Sequence, residues 1–161
     1  MKKFFPFLII PFFFILDRIT KFTIVDHLRE GQSLPVWRGV FHLTRVNNTG
    51  AAFGMLKGNA GLLALVSVAC IIGIFVALLK DLFIKSPSQD PQAARIDGLR
   101  NLALALVAAG AAGNLYDRVH YGYVIDFLDL RVWPVFNIAD SGICVGIFLM
   151  VLSLTQTRKN T

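Results

Sequence analysis

Four apolar stretches, at residues 4–25, 62–79, 99–115 and 136–154, dominate the chain and leave it few folds to adopt. Each is about 17–22 residues long, enough at ~1.5 Å per residue to cross a ~30 Å hydrocarbon core as a helix. The second carries no charge, whereas Asp17, Arg18 and Lys21 interrupt the first and Asp140 interrupts the fourth. With 55% hydrophobic and 16% charged residues and a mean hydropathy of +0.63, the chain is too apolar for a soluble domain of its 161 residues. The expected fold is an all-α membrane protein with four transmembrane helices, forming a single unit over residues 1–161 without internal repeat or second soluble domain.

Charge sets the expected orientation. Lys2, Lys3, Lys80, Lys85, Arg95, Arg100, Arg158 and Lys159 define one basic side, which the positive-inside rule assigns to the cytoplasm together with both termini. Arg29, Arg38, Arg45, Lys57, Arg118 and Arg131 fall on the outer side but are spread over longer loops. The net charge of +6 is dispersed, with no basic stripe interleaved with aromatics, so anionic lipid headgroups are the expected partner and nucleic acid is not. Lys2 and Lys3 ahead of residues 4–16 resemble a signal peptide, but no small-x-small cleavage site follows, which predicts a retained first helix. Cys70 and Cys144 fall inside apolar spans and are expected as core side chains.

Between the spans, residues 85–94 read as a short cytoplasmic linker rich in Ser and Pro. Residues 36–46 are rich in β-branched and aromatic side chains, and 123–128 form another strand-like run, so a small extracytoplasmic β-element pairing the two is predicted. Trp37 and Trp133 lie in these outer segments, where amphipathic rings anchor at the interface.

Antiparallel spans allow the depth of each polar group to be counted. Asp17 lies ~20 Å along the first span, Asn114 near the outer end of the third, and Asp140 about one turn into the fourth. All three reach the outer third of the bilayer, and a charge buried in lipid costs ~2.5–3.5 kcal/mol even on lenient scales. Asp17 and Lys21, Asn114 and Arg118, and Asn137 and Asp140 are spaced three or four apart, so each pair shares a helix face. Ala105, Ala109 and Gly113 form a small-residue seam that permits close contact with a neighbouring helix.

Two carboxylates converging in a partly desolvated site share a proton, one serving as base and the other as acid. Asp126 and Asp140 flank the outer mouth and are candidates for such a pair, with the helix dipole favouring Asp140 as the anion. The plainer alternatives are that Asp140 neutralises Arg118 or Arg131, that Asp126 is a loop carboxylate, and that Asp17 and Lys21 form an intrahelical ion pair. Asp117 and Asp129 read as exposed loop residues. His27, His42 and His120 are scattered without a metal-binding pattern, and Ser141 has no candidate His partner. A proton-coupled transporter using Asp17, Asp126 and Asp140 would want carboxylates at several depths, including the midplane.

Five ordered motifs together resemble the prolipoprotein signal peptidases (signal peptidase II), a family of membrane-embedded aspartic peptidases. They are Asp17-Arg18-x-x-Lys21, Asn48-Thr49-Gly50-Ala51-Ala52-Phe53, Gly113-Asn114-Leu115-Tyr116-Asp117-Arg118, Gly122-Tyr123-Val124-Ile125-Asp126-Phe127 and Phe136-Asn137-Ile138-Ala139-Asp140. Ala109 stands where the family commonly has glycine, and Tyr116 where an aliphatic residue is frequent. The resemblance implies four membrane helices, a small β-cradle outside the membrane, and Asp126 and Asp140 as the catalytic pair. It implies Asn48, Gly50, Asn114, Arg118 and Asn137 as substrate-contacting or dyad-positioning residues, supported by Asp17 and Lys21. The implied substrate is a bacterial prolipoprotein whose cysteine carries diacylglycerol, cut just before that cysteine by a monomeric enzyme of the cytoplasmic (inner) membrane with its site at the outer face. No metal or cofactor is implied, because water is the nucleophile.

Overall fold

The computed structural model describes residues 4–50, 56, 58–84 and 89–158. The expectations placed on Lys2, Lys3, Lys57, Lys85 and Lys159, on the linker residues Ser86, Pro87 and Ser88, and on the motif residues Ala51, Ala52 and Phe53 lie outside the described residues.

The chain runs α1 (Phe5–His27), β1 (Ser33–Trp37), β2 (Phe41–Asn48), α2 (Ala60–Phe83), α3 (Pro91–Tyr121), β3 (Val124–Asp129) and α4 (Ile138–Arg158). Among the described residues, three helices, α2, α3 and the Ile138–Gln156 part of α4, are long and apolar enough to cross a membrane. α1 has comparable length at 23 residues, but Asp17, Arg18 and Lys21 fall in its C-terminal half.

α3 is much longer than the apolar run 99–115, because its ends are set by caps and not by hydropathy. Asp90 accepts hydrogen bonds from the backbone N–H of Gln92 (2.9 Å) and Ala93 (3.3 Å), and Pro91 supplies a pre-set φ at the first helical position. At the other end Gly122 takes a φ of 77° and donates its N–H to the Arg118 carbonyl, closing the helix. The expected linker therefore ends at Asp90, and residues 91–94 already belong to α3.

α3 packs against all three other helices, most extensively α4. The small-residue seam permits this: Ala105 and Ala109 are fully buried, and a Cβ on Gly110 would meet the Ala139 carbonyl oxygen at 2.3 Å. From the facing side, a Cβ on Gly146 would meet Val107 at 2.7 Å and the Ala103 carbonyl oxygen at 2.8 Å. Backbones approach this closely only where side chains are absent.

The sheet has the order β1-β2-β3, antiparallel throughout, with Val46 opposite Asp126 and Asn48 opposite Val124. It is the predicted pairing of the two outer segments. Phe136 then bonds both ways with Leu128 (2.7 and 3.1 Å), which holds the entry to α4 against β3. Cys70 and Cys144 correct the expectation of core side chains: both are exposed. An apolar span in lipid needs no polar face, so hydropathy alone does not tell a core position from an outward one.

Candidate active site

Asp126 sits in the middle of β3, 2% exposed, in a strand whose residues are buried on both faces apart from the half-buried Leu128. Its carboxylate accepts hydrogen bonds from the amides of Asn48 (2.9 Å) and Asn137 (2.7 Å). Asp140 lies in the first turn of α4 and accepts from the Asn114 amide (2.7 Å) and the Asn137 backbone N–H (3.2 Å). Asn137 in turn receives the Asp140 N–H on its side-chain oxygen (2.8 Å). The two residues thus close a reciprocal cap on α4, three apart as a capping box requires. One asparagine therefore touches both aspartates, its side chain binding Asp126 and its backbone binding Asp140.

The asparagine amides are held in turn. Asn114 accepts from Lys21 Nζ (3.0 Å) and from Asn137 (3.1 Å) on the same oxygen, which leaves its NH₂ for Asp140. Asn48 accepts the Gly50 N–H (2.9 Å), turning its own NH₂ toward Asp126, and Arg118 reaches the Gly50 carbonyl at 3.3 Å. Lys21, 1% exposed, spends its three donors on Asn114, Asp117 (2.8 Å) and Asp17 (3.1 Å). All nine residues singled out in the sequence thus belong to one connected set.

The sequence reading missed Asp117 and Arg18. Asp117 is completely buried, not an exposed loop residue, because α3 continues past the apolar run to Tyr121. It binds Arg18 (2.6 Å), Lys21 (2.8 Å) and the Ile125 backbone N–H (3.1 Å), next to Asp126. Asp17 binds Arg18 (2.6 Å) and the Ala139 N–H (3.0 Å), next to Asp140. Two carboxylates and two cations therefore neutralise one another while tying α1 and α3 to the backbone beside each aspartate. The expected Asp17–Lys21 ion pair exists, but as one edge of this cluster. The signal for Asp117 was its spacing, four after Gly113 and three after Asn114, on the same helix face.

Asp129 is also buried, at 5% exposure, bonded by Thr44 (2.7 Å) and by Arg131 (2.9 Å). That assigns Arg131 to Asp129 and removes it as a partner for Asp140.

Asp126 and Asp140 both line a cavity of about 970 Å³, with Asn48, Gly50, Asn114 and Arg118 around them and Leu130, Trp133, Phe136 and Ile143 extending an apolar wall. Burial, and then the neighbouring charge of Asp140, push the Asp126 carboxyl up to about 7, against the hydrogen bonds from Asn48 and Asn137 and the charge of Lys21. The site therefore places a carboxyl that is harder to ionise than usual and a second carboxyl group on the wall of one largely apolar cavity.

The family model for signal peptidase (SPase) II matches residues 9–156. The lipoprotein signal peptidase of Halothermothrix orenii is 38% identical over 145 residues, covering 90% of this chain and 91% of that protein. That of Desulfitobacterium hafniense strain DCB-2 is 42% identical over 146 residues, covering 89% of each. A bacterial membrane enzyme solved by the in meso method at 2.3 Å superposes with a TM-score of 0.81 at 31% identity, covering 97% of this chain and 90% of that one.

Proposed function

The chain belongs to the signal peptidase II family of bacterial membrane proteases, and from that premise we propose that Asp126 and Asp140 form an aspartic dyad cutting diacylglyceryl-modified prolipoproteins just before the lipidated cysteine. The observation that carries this reading is the joining of both carboxyls through Asn137 on the wall of an apolar cavity. Asp140, at the positive end of α4 and facing two N–H donors, is the charged member that takes a proton from water. The water oxygen then attacks the scissile carbonyl carbon while Asp126, holding the proton, gives it to the carbonyl oxygen. Collapse of the diol breaks the carbon–nitrogen bond: the proton gained by Asp140 passes to the departing cysteine nitrogen, and a diol hydroxyl returns its proton to Asp126 as the new carboxyl forms, which restores the dyad. Asn48, Asn114 and Asn137 orient the dyad, Arg118 and Gly50 contact substrate at the cavity, and Asp17 and Lys21 brace the set.

The same reading places α1 as a fourth span, since its Asp17 and Lys21 are buried against α3 and so do not face lipid. Both termini then lie in the cytoplasm and the sheet outside the inner membrane. The single unit over residues 1–161 acts as a monomer, without metal or cofactor. Its lipid-anchored substrate slides in from the outer leaflet, its acyl chains along the apolar wall.

A gel-shift assay tests this. Purified protein in detergent should release the signal peptide from a diacylglyceryl-modified precursor and leave the unmodified precursor intact. Full cleavage of the unmodified precursor would remove lipid recognition from the proposal.

A further inference from the structure

A second cavity, of about 210 Å³, lies on the opposite side of the sheet from the dyad. Strand alternation places it there. Arg45 of β2, with Tyr123 and Ile125 along β3, lines this cavity, whereas Val46, Asn48, Val124 and Asp126 line the larger one. Arg18, Lys21, Phe22 and Val25 of α1 and Tyr116 and Tyr121 at the end of α3 complete its wall.

The lining is rich in donors. Arg18 and Lys21 are balanced by Asp17 and Asp117, but Arg45 has no carboxylate within 4.0 Å among the described residues. Its Nη1 instead donates to the carbonyls of Val25 (3.3 Å) and Leu28 (2.9 Å) at the end of α1. The Nε groups of both Arg18 and Arg45 are buried with no acceptor among the described residues. A buried donor left unpaired is costly, so each calls for an oxygen. The Tyr116 ring lies under the Arg18 guanidinium at 4.7 Å and stacks on His120 at 3.9 Å, holding the aromatic wall in place.

We infer that this cavity binds the phosphate group of a membrane phospholipid, held by Arg45 with the tyrosine hydroxyls. Guanidinium and phenol groups donate to phosphate oxygens, and Arg45, the cation of this lining without a carboxylate among the described residues, matches the single charge of a phosphodiester. A space of 210 Å³ equals about seven waters at ~30 Å³ each, ample for a phosphate and its ester carbons. The neighbouring Phe22 is 74% exposed, an apolar shelf along which an acyl chain would run, and this favours a lipid over a free anion. Tyrosines concentrate at the interface where such headgroups lie. The inference does not rest on the cleavage reaction proposed above, although Arg18 and Lys21 of the cavity wall also brace the dyad.

The test uses delipidated full-length protein in neutral detergent, titrated with phosphatidylglycerol, diacylglycerol or inorganic phosphate and followed by native mass spectrometry and melting temperature. Phosphatidylglycerol should bind saturably and raise the melting temperature, and diacylglycerol should do neither. Arg45→Gln should weaken that binding about tenfold and the double variant Tyr121→Phe/Tyr123→Phe about threefold, while Arg38→Gln, which removes an exposed charge from the same protein, should leave it unchanged. Because Arg45 also caps α1, the tyrosine pair keeps the test readable if Arg45→Gln fails to fold. Protection by inorganic phosphate alone, with the same sensitivity to these variants, would replace the lipid with a free anion. Binding that survives both variants, that falls equally in Arg38→Gln, or that never saturates would overturn the site.

Discussion

Asp126 and Asp140 carry the same functional group and are distinguished by what surrounds them. Asp126 lies on a buried strand between two asparagine amides, and Asp140 on the first turn of a helix. Removing either as Asp→Asn keeps the shape but ends proton exchange, so cleavage should fall at least ~100-fold, the usual contribution of general acid–base groups. The variants should still insert and fold, and a gel-shift assay beside a melting curve separates the two effects. The raised Asp126 carboxyl, at about 7, also fixes the sign of a stability effect. A carboxyl harder to ionise in the fold than in the unfolded chain favours folding when protonated; that contribution is complete at acid pH and is lost as pH rises through about 7. The melting temperature of the parent protein in detergent should therefore decline from pH 5 to 8 relative to Asp126→Asn. Parallel curves for the two proteins would show that Asp126 ionises normally. The same proton should give cleavage an alkaline limb near pH 7, read from a pH–rate profile.

At the scale of elements, the buried cluster of Asp17, Arg18, Lys21 and Asp117 fixes where α1, α3, β3 and α4 meet. Lys21→Met would leave two buried carboxylates facing one arginine and strip Asn114 of a donor, and breaking such a pair costs about 3–5 kcal/mol. A fall of several degrees in melting temperature, partly restored by adding Asp117→Asn, is expected. The helix seam makes a second prediction: Gly110→Ala, whose Cβ would meet the Ala139 carbonyl at 2.3 Å, should destabilise by about 1–3 kcal/mol and slow cleavage by displacing Asp140. Gly73→Ala, with nothing within 4 Å, should do neither. Much of this was legible beforehand. The small-residue seam, the facing polar pairs and the strand pairing all follow from spacing, which reports local geometry directly. Asp117 was missed despite its spacing from Gly113 and Asn114, because hydropathy marks where lipid begins, whereas Asp90 and Gly122 mark where the helix ends, and the two differ by several residues. Cys70 and Cys144 were misplaced for a related reason: hydropathy alone does not tell which positions of an apolar helix the rest of the protein covers.

For the whole molecule, element lengths and the position of the sheet bear on orientation. α3 spans 31 residues, ~46 Å at 1.5 Å per residue, well beyond a ~30 Å hydrocarbon core. Its surplus includes a charged start: Arg95 and Asp97 lie in the first two turns, and Arg100 in the next pairs with Asp81 at the end of α2. This end belongs in water, opposite the end where Tyr121, the sheet and the dyad gather. If the dyad meets a lipid-anchored substrate from the outer leaflet, the sheet must be outside and the turn between α2 and α3 inside. With Cys70 and Cys144 replaced by serine, a single cysteine introduced as Arg38→Cys, in the β1–β2 turn, should react in intact spheroplasts with a membrane-impermeant maleimide. One introduced as Gln89→Cys, just before α3, should react only after the membrane is opened. The reverse pattern would put the basic end outside and the dyad in the cytoplasm, where no lipid-anchored precursor awaits cleavage, and the same site would then need a different substrate.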